Sequence, residues 1–291
     1  MSHSFKRKMG WLPDYPDFRD YTPIHISVKD HLEKLKSKDT ISLPAAVDLR
    51  EWCSPIEDQG ELGSCTANAG VGLLEYYERR SFGKYLDASR LFLYKTTRDL
   101  LHLTGDSGAY LRSTLGALVL FGVPPEEYWP YEIERFDEEP SAFCYSFAQN
   151  YRTIRYFRFD PPGTGRAELL TQIKTYLSQG MPAIFGFTVY NSYEQAETTG
   201  KIPFPLPEEN VVGGHAVMAV GYDNKMIIRN NSRKGAQNTG AFLIRNSWGE
   251  KWGNEGYGWL PYEYVLKGLA EDWWTLLKSE WVDTGQFGEN G

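Results

Sequence analysis

Asp58-Gln-Gly-Glu-Leu-Gly-Ser-Cys-Thr-Ala-Asn-Ala69 opens a run that reads as a helix from Ser64 to about Arg80. Ser64 or a neighbour can cap it. Ala67, Val71, Leu74, Tyr77 and the residues around them make it apolar nearly all round, and such a helix is a buried one. Cys65 then stands in the first turn of a buried helix, where backbone N–H groups and the helix dipole favour a thiolate. Gly63 leaves room for a substrate backbone to approach closely. Gln59, six residues before Cys65, could aim its amide at the same point and form a two-donor oxyanion hole with the Cys65 N–H. Taken alone, the segment fits a core cysteine at a helix start equally well.

Outward from this helix, Leu111 to Phe121 reads as a second helix stopped by Gly122 and Pro124-Pro125. A third, Leu169 to Ser178, ends before Gly180 and Pro182. The texture then turns to strands: Ala183–Val189, Ala216–Tyr222, Lys225–Arg229 and Gly240–Arg245. Ile227-Ile-Arg-Asn echoes Leu243-Ile-Arg-Asn, as two neighbouring strands of a hairpin would. Helices first and strands later predict an α+β protein with a helical lobe and a β-rich lobe.

The chain has 291 residues, enough for one large domain or two packed lobes. Its net charge of -7 argues against a nucleic-acid partner, since phosphate contacts need basic surface. Neither a long apolar run nor a secretory signal is evident, so no membrane partner and a cytoplasmic location are expected. Cys53, Cys65 and Cys144 are too few and too odd in number for a disulfide scaffold, and Cys53 and Cys144 read best as buried free thiols.

Residues 1–42 differ from the rest. They carry eight Lys/Arg against six Asp/Glu, while the remainder carries 23 against 32. Val28 to Ser42 reads as a short surface helix or linker. Before it, prolines at 13, 16 and 23 favour an extended path bearing Trp11, Leu12, Tyr15, Phe18 and Tyr21.

Two later segments carry chemistry. His215 lies between Gly213-Gly214 and the apolar run Ala216-Val-Met-Ala-Val, better placed than His3, His25, His31 or His102 to face a cleft. Asn246 ends a strand in Arg245-Asn-Ser-Trp-Gly-Glu-Lys-Trp-Gly. An asparagine there can hold one imidazole nitrogen while the other faces a thiol, and Trp248 can shield that bond from water. In isolation, such residues are more often turn and core.

Gln59-(five residues)-Cys65, Gly214-His215-Ala216 and Asn246-Ser-Trp-Gly-x-x-Trp-Gly, in this order, resemble the papain-like cysteine peptidase family. The resemblance runs from about Leu43 to Tyr264. It departs at Thr66, where the family usually has tryptophan, at Leu62, where it usually has cysteine, and at Gly108-Ala109 in place of Gly-Gly. His215 and Asn246 are also further apart than is typical, the surplus fitting a loop from Asn230 to Gly240. Asn230 is a rival orienter without the Trp-Gly context.

What the resemblance implies is a papain-like two-lobed fold, with a helical lobe at about 55–150, a β-barrel-like lobe at about 151–265 and a tail to 291. Residues 43–291 would form the peptidase domain and residues 1–42 a pro-segment-like extension. Cys65, His215, Asn246 and Gln59 would be catalytic. Gly63, Ser64, Gly108, Ala109, Tyr110, Gly214, Ala216 and Trp248 would meet a peptide or protein substrate. No metal or organic cofactor is implied. The N-terminal segment is expected over the cleft, as a zymogen's would be, although the family's usual pro-region is longer and helical. The alternatives are another acyl-transfer enzyme on the same triad, or a non-catalytic peptide-binding protein of this fold.

Overall fold

The computed structural model describes residues 7–35, 42–151, 155–232 and 235–278. The N-terminal segment contributes a two-residue strand, β1 (Trp11–Leu12), and a helix, α1 (Ile26–Leu35). Part of the expected linker up to Ser42 lies outside the described residues. A short strand, β2 (Ala46–Asp48), precedes the central helix α2 (Cys65–Phe82).

The central helix is as buried as its composition predicts: every residue from Cys65 to Tyr77 is out of solvent. Gly83 ends it in the left-handed conformation, with φ of 69° and its N–H returned to the Arg79 carbonyl. Against it pack α3 (Arg90–Leu100), which the sequence reading did not separate, and α4 (Leu111–Leu120), while α5 (Ala142–Ala148) sets Tyr145 against Phe92 of α3. Ser89 starts α3 by accepting the Phe92 N–H on its hydroxyl. Between α3 and α4, β3 (Ala109–Tyr110) pairs in parallel with β1, Trp11 opposite Ala109 and Leu12 opposite Tyr110.

The second half builds one sheet from β4 (Arg155–Arg158), β5 (Ala183–Tyr190), β6 (Val211–Arg229), β7 (Gln237–Arg245), β8 (Tyr257–Pro261) and β9 (Ala270–Leu277). The order is β4-β9-β5-β6-β7-β8, with β2 added along β6. This is an open, mostly antiparallel sheet and not the barrel-like lobe expected. It also continues past residue 265, since β9 lies between β4 and β5. The two strands expected at Ala216–Tyr222 and Lys225–Arg229 are one strand, β6, with a register shift between Asp223 and Ile227 against β7. Helix α6 (Arg166–Ser178) covers this sheet beside the short α7 (Glu263–Leu266). Cys53, Cys65 and Cys144 are all buried and unpaired, as expected.

A buried arginine ties the two halves together. Arg245, at the end of β7, donates to the Ser54 hydroxyl at 3.1 Å and the Pro55 carbonyl at 2.6 Å. Its guanidinium lies flush against Gly72 of α2, where a Cβ would overlap it. Alanine is the better helix former by about 1 kcal/mol, yet the guanidinium cannot yield without losing both bonds. Overpacking costs about 1–3 kcal/mol. Gly72→Ala should therefore lower the urea midpoint of unfolding, and a raised midpoint would contradict the tie.

Candidate active site

Cys65 opens α2 with its sulfur sealed from solvent. Backbone N–H groups of Cys65, Thr66, Ala216 and Gly10 are directed at it. Ala216 belongs to β6, so the strand carrying His215 runs directly past the thiol.

His215 is also fully buried and sits opposite Phe187 of β5. Its Nε2 lies 2.8 Å from Asn246 Oδ1. That oxygen also accepts the Ser247 N–H at 2.8 Å. An amide oxygen only accepts, so Nε2 carries the proton and Nδ1 keeps its lone pair. Nδ1 is buried with no partner among the described residues. Trp248 stacks on the imidazole, centroids 4.5 Å apart and planes 20° apart, and walls off this bond. Asn230, the rival orienter, is elsewhere: its amide N–H groups go to the Phe204 carbonyl and Glu209.

Gln59 is fixed by a residue that sequence reading left without a role. Its Oε1 accepts the Ser247 hydroxyl at 2.6 Å, and its backbone N–H donates to the Ser247 carbonyl. The amide nitrogen then faces the other way, donating to the Leu62 carbonyl at 2.9 Å and the Lys8 carbonyl at 3.2 Å. Ser247 lies within the Asn-Ser-Trp-Gly run, so the signal was present but its task was not.

The carbonyl of Lys8 belongs to a stretch that touches most of the expected substrate-contacting residues. Gly10 packs so closely on Gly63 and Gly108 that a Cβ on Gly10 would fall on the Gly63 carbonyl, and one on Gly108 would fall on the Gly10 carbonyl. Gly108 also has φ of +73°, open to glycine at little cost. The Gly10 carbonyl accepts the Ala109 N–H at 2.8 Å. Gly214 meets Trp11, and Gly213 meets Met9. Tyr110 contributes backbone to the β1–β3 pair. Ser64 does not join this surface; its hydroxyl bonds Tyr131 and Asn68. Of the aromatic residues expected in a groove, Trp11 is buried, whereas Tyr15 and Phe18 face solvent.

The charges that hold this stretch run mostly opposite to expectation. Lys8 does pair with Asp106 at 2.6 Å. The deeper anchors, however, are acids of the N-terminal stretch on arginines of the body. Asp20 meets Arg112 at 2.6 Å, and Asp14 accepts the Arg112 backbone N–H at 3.1 Å. Net charge said nothing about these pairings.

Burial sets the protonation here. It pushes the Cys65 thiol up to about 11, against the pull of the surrounding N–H groups. It pushes His215 down to about 4, against the Asn246 bond. With residues 8–12 in place, both groups are neutral at pH 7, not the thiolate and imidazolium expected of an exposed pair.

Known proteins resemble this chain over most of its length. Residues 43–270 match the model of the papain family cysteine proteases, and the chain belongs to that family. It is thus a papain-like cysteine peptidase, a hydrolase of peptide or protein substrates. An uncharacterized peptidase C1-like protein of Acanthamoeba polyphaga mimivirus is 32% identical, covering 94% of this chain and 88% of its own. Cathepsin K of Gallus gallus is 31% identical over 74% of this chain, which spans 58% of that protein. Among solved structures, xylellain, a cysteine protease from Xylella fastidiosa, superposes with a TM-score of 0.72 at 33% identity, covering 96% and 98% of the two chains. No described helix is long and apolar enough to cross a membrane.

A thiol whose pKa is raised to about 11 yields little thiolate below pH 9, and an imidazole lowered to about 4 gives no cation above pH 5. Iodoacetamide should therefore alkylate Cys65 of the full-length chain slowly from pH 5 to 9, with a rate that climbs only on the alkaline side. Rapid alkylation at pH 6 would contradict a neutral, covered pair.

Proposed function

We propose that this chain cleaves peptide bonds through Cys65, His215 and Asn246, and that its N-terminal segment holds it inactive until displaced. The imidazole carries the first part: Nε2–H is committed to Asn246, while Nδ1 keeps a buried, unpartnered lone pair on the strand beside Cys65. Once water or substrate replaces the segment, the desolvation that keeps both groups neutral is relieved, and the proton passes from Cys65 to His215 Nδ1. The two then titrate as one unit.

The thiolate attacks the peptide carbonyl carbon, and the displaced electron pair moves onto oxygen. Gln59 Nε2 and the Cys65 N–H stabilise that oxyanion. His215 gives its proton to the leaving amine, and a thioester remains. Water attacks the thioester, losing its proton to His215, and the acid product leaves as Cys65 is restored. Gly63, Gly108, Ala109 and Tyr110 offer backbone to the substrate on one side, Gly214 and Ala216 on the other. Trp248 keeps water from the His215–Asn246 bond. The three unpaired cysteines support a reducing, cytoplasmic setting.

Support for the inhibitory role comes from hydrogen bonds a substrate would need. The Lys8 carbonyl takes the Gln59 donor, and the Gly10 N–H is turned on the sulfur. A brace packed behind the domain would touch neither.

Cys65→Ala and Cys65→Ser should abolish hydrolysis with the fold intact. Retained turnover in either would end this reading, and products formed with added amines would move it to acyl transfer. In a chain freed of its segment, Gln59→Ala should cost about 10²–10³-fold in turnover, the usual scale for one oxyanion donor.

The segment has its own test. Gly10→Val places a side chain where the Gly63 carbonyl stands, and such overpacking costs about 1–3 kcal/mol. Hydrolysis and Cys65 alkylation by the full-length chain should rise together, by about tenfold for each 1.4 kcal/mol of weakened contact. Unchanged rates would make the segment a brace.

A further inference from the structure

Gly63 and Gly108 both pack on Gly10, and one pair of side chains holds both of their backbones. The Asp106 carboxylate accepts the Gly63 N–H on its two oxygens, at 3.0 and 3.2 Å. Its Oδ1 also accepts the Tyr94 phenol at 2.5 Å. The phenol oxygen in turn accepts the Gly108 N–H at 3.1 Å. A carboxylate and a phenol thus bridge the loop before Cys65 to the turn before β3.

No covalent tie holds that loop, since all three cysteines are unpaired. Gln59 fixes its start through Ser247, and Ser64 fixes its end through Tyr131 and Asn68. Gly63 lies between them and depends on Asp106. The fit is close: a Cβ on Gly63 would stand 2.9 Å from Asp106 Oδ1.

Tyr94 is buried within α3. Burial first, and then the Asp106 bond, raise its phenol well above the ordinary value, so it stays protonated and donates. The Arg98 guanidinium lies over the Tyr94 ring, 4.4 Å from its centroid, and donates to the Gly105 carbonyl at 2.7 Å. Asp106 is the next residue, so one arginine steadies both members of the pair. Lys8 of the N-terminal stretch completes the set, its ammonium 2.6 Å from Asp106 Oδ2 and 3.2 Å from the Asp106 carbonyl. Lys8 would leave with its segment. Gly63, Tyr94 and Gly108 would stay, so the clamp belongs to the body of the enzyme and not to its cover.

We propose that Asp106 and Tyr94 are a positioning pair for peptide cleavage: Asp106 sets the loop that presents the Cys65 N–H, and Tyr94 sets the backbone at Gly108 that receives the substrate. The inference rests on the peptidase reading and adds two residues to its machinery. Neither touches the reacting atoms. An oxyanion exists only in the transition state, so a loosened Gly63 lowers kcat. Backbone contacts beside Gly108 are made equally by bound substrate and transition state, so a loosened Gly108 raises KM.

The test uses the full-length chain with Trp11→Ala, which deletes the buried indole bonded to Asp272 and so loosens the cover. Rates are divided by the thiols that an irreversible alkylating agent titrates, so misfolded molecules do not count. Adding Asp106→Ala should lower kcat by about tenfold, the scale of a hydrogen bond to a charged group, with KM within about threefold. Asp106→Asn keeps an acceptor for the Gly63 N–H while discharging the side chain, and should restore kcat to within about threefold of the parent. Tyr94→Phe keeps the ring under Arg98 and should raise KM by about fivefold with kcat within about twofold. It carries the test by itself if Asp106→Ala does not fold. Unchanged kcat in Asp106→Ala, a loss that Asp106→Asn does not repair, or unchanged KM in Tyr94→Phe overturns the proposal.

A second arm needs no turnover. In the otherwise unaltered full-length chain, amide hydrogen exchange at Gly63, followed by NMR on nitrogen-labelled glycine, should quicken by about tenfold in Asp106→Ala and return toward the parent rate in Asp106→Asn. An unchanged Gly63 rate overturns the clamp. If no variant cleaves any peptide, the peptidase reading fails, and the exchange rates alone decide whether Asp106 holds the loop.

Discussion

A helix with no solvent face cannot turn or slide without opening the core, and the site depends on that constraint. Residues 65–77 of α2 are buried on every side, between the helices of the first half and the sheet of the second. The thiol at its start is therefore fixed in relation to β6, whose Ala216 N–H reaches it. Arg245 reinforces the contact by filling the space over Gly72 and bonding across to Ser54 and Pro55. With helix and sheet locked, the β6 and β7 ends bring His215 and Asn246 within one hydrogen bond of each other.

The same burial explains why the covered site is electrically quiet. A thiolate or imidazolium sealed from water without enough compensation gives up its charge, and both groups move to neutral forms. Residues 8–12 supply that seal through backbone, in contacts close enough that glycine is required at positions 10 and 108. Side-chain anchors sit further along, where Asp14 and Asp20 meet Arg112, and Asp272 receives both the Trp11 indole and the Asp14 N–H. Position along the stretch thus divides the labour: glycine and backbone over the thiol, then indole, then carboxylates.

Local sequence determined a good deal. An apolar run after Cys65 can only be a buried helix, and the prolines at 13, 16 and 23 leave the preceding chain extended. The pattern Gly-His-Ala before an apolar strand, with Asn-Ser-Trp-Gly after another, singled out His215 and Asn246, which the fold brings to 2.8 Å, with the Trp248 ring stacked on the imidazole. These features were legible because each depends on residues adjacent in the chain, or on combinations too specific to arise by chance.

What only the tertiary structure decided lies in contacts between distant residues. Periodicity did not reveal that the sheet is open, or that β9 is inserted between β4 and β5, because strand order depends on which edges pair and not on any one strand's composition. Ser247 orients Gln59 from 188 positions away. Net charge suggested a basic segment on an acidic body, yet the buried pairs are acids on arginines, since pairing is set by who faces whom at a few ångströms. The protonation of Cys65 and His215 was likewise invisible, because it follows from burial by residues distant in the chain. Sequence supplied the thiol, the imidazole and the amide; folding alone decided how much water reaches them, and at this site water governs charge.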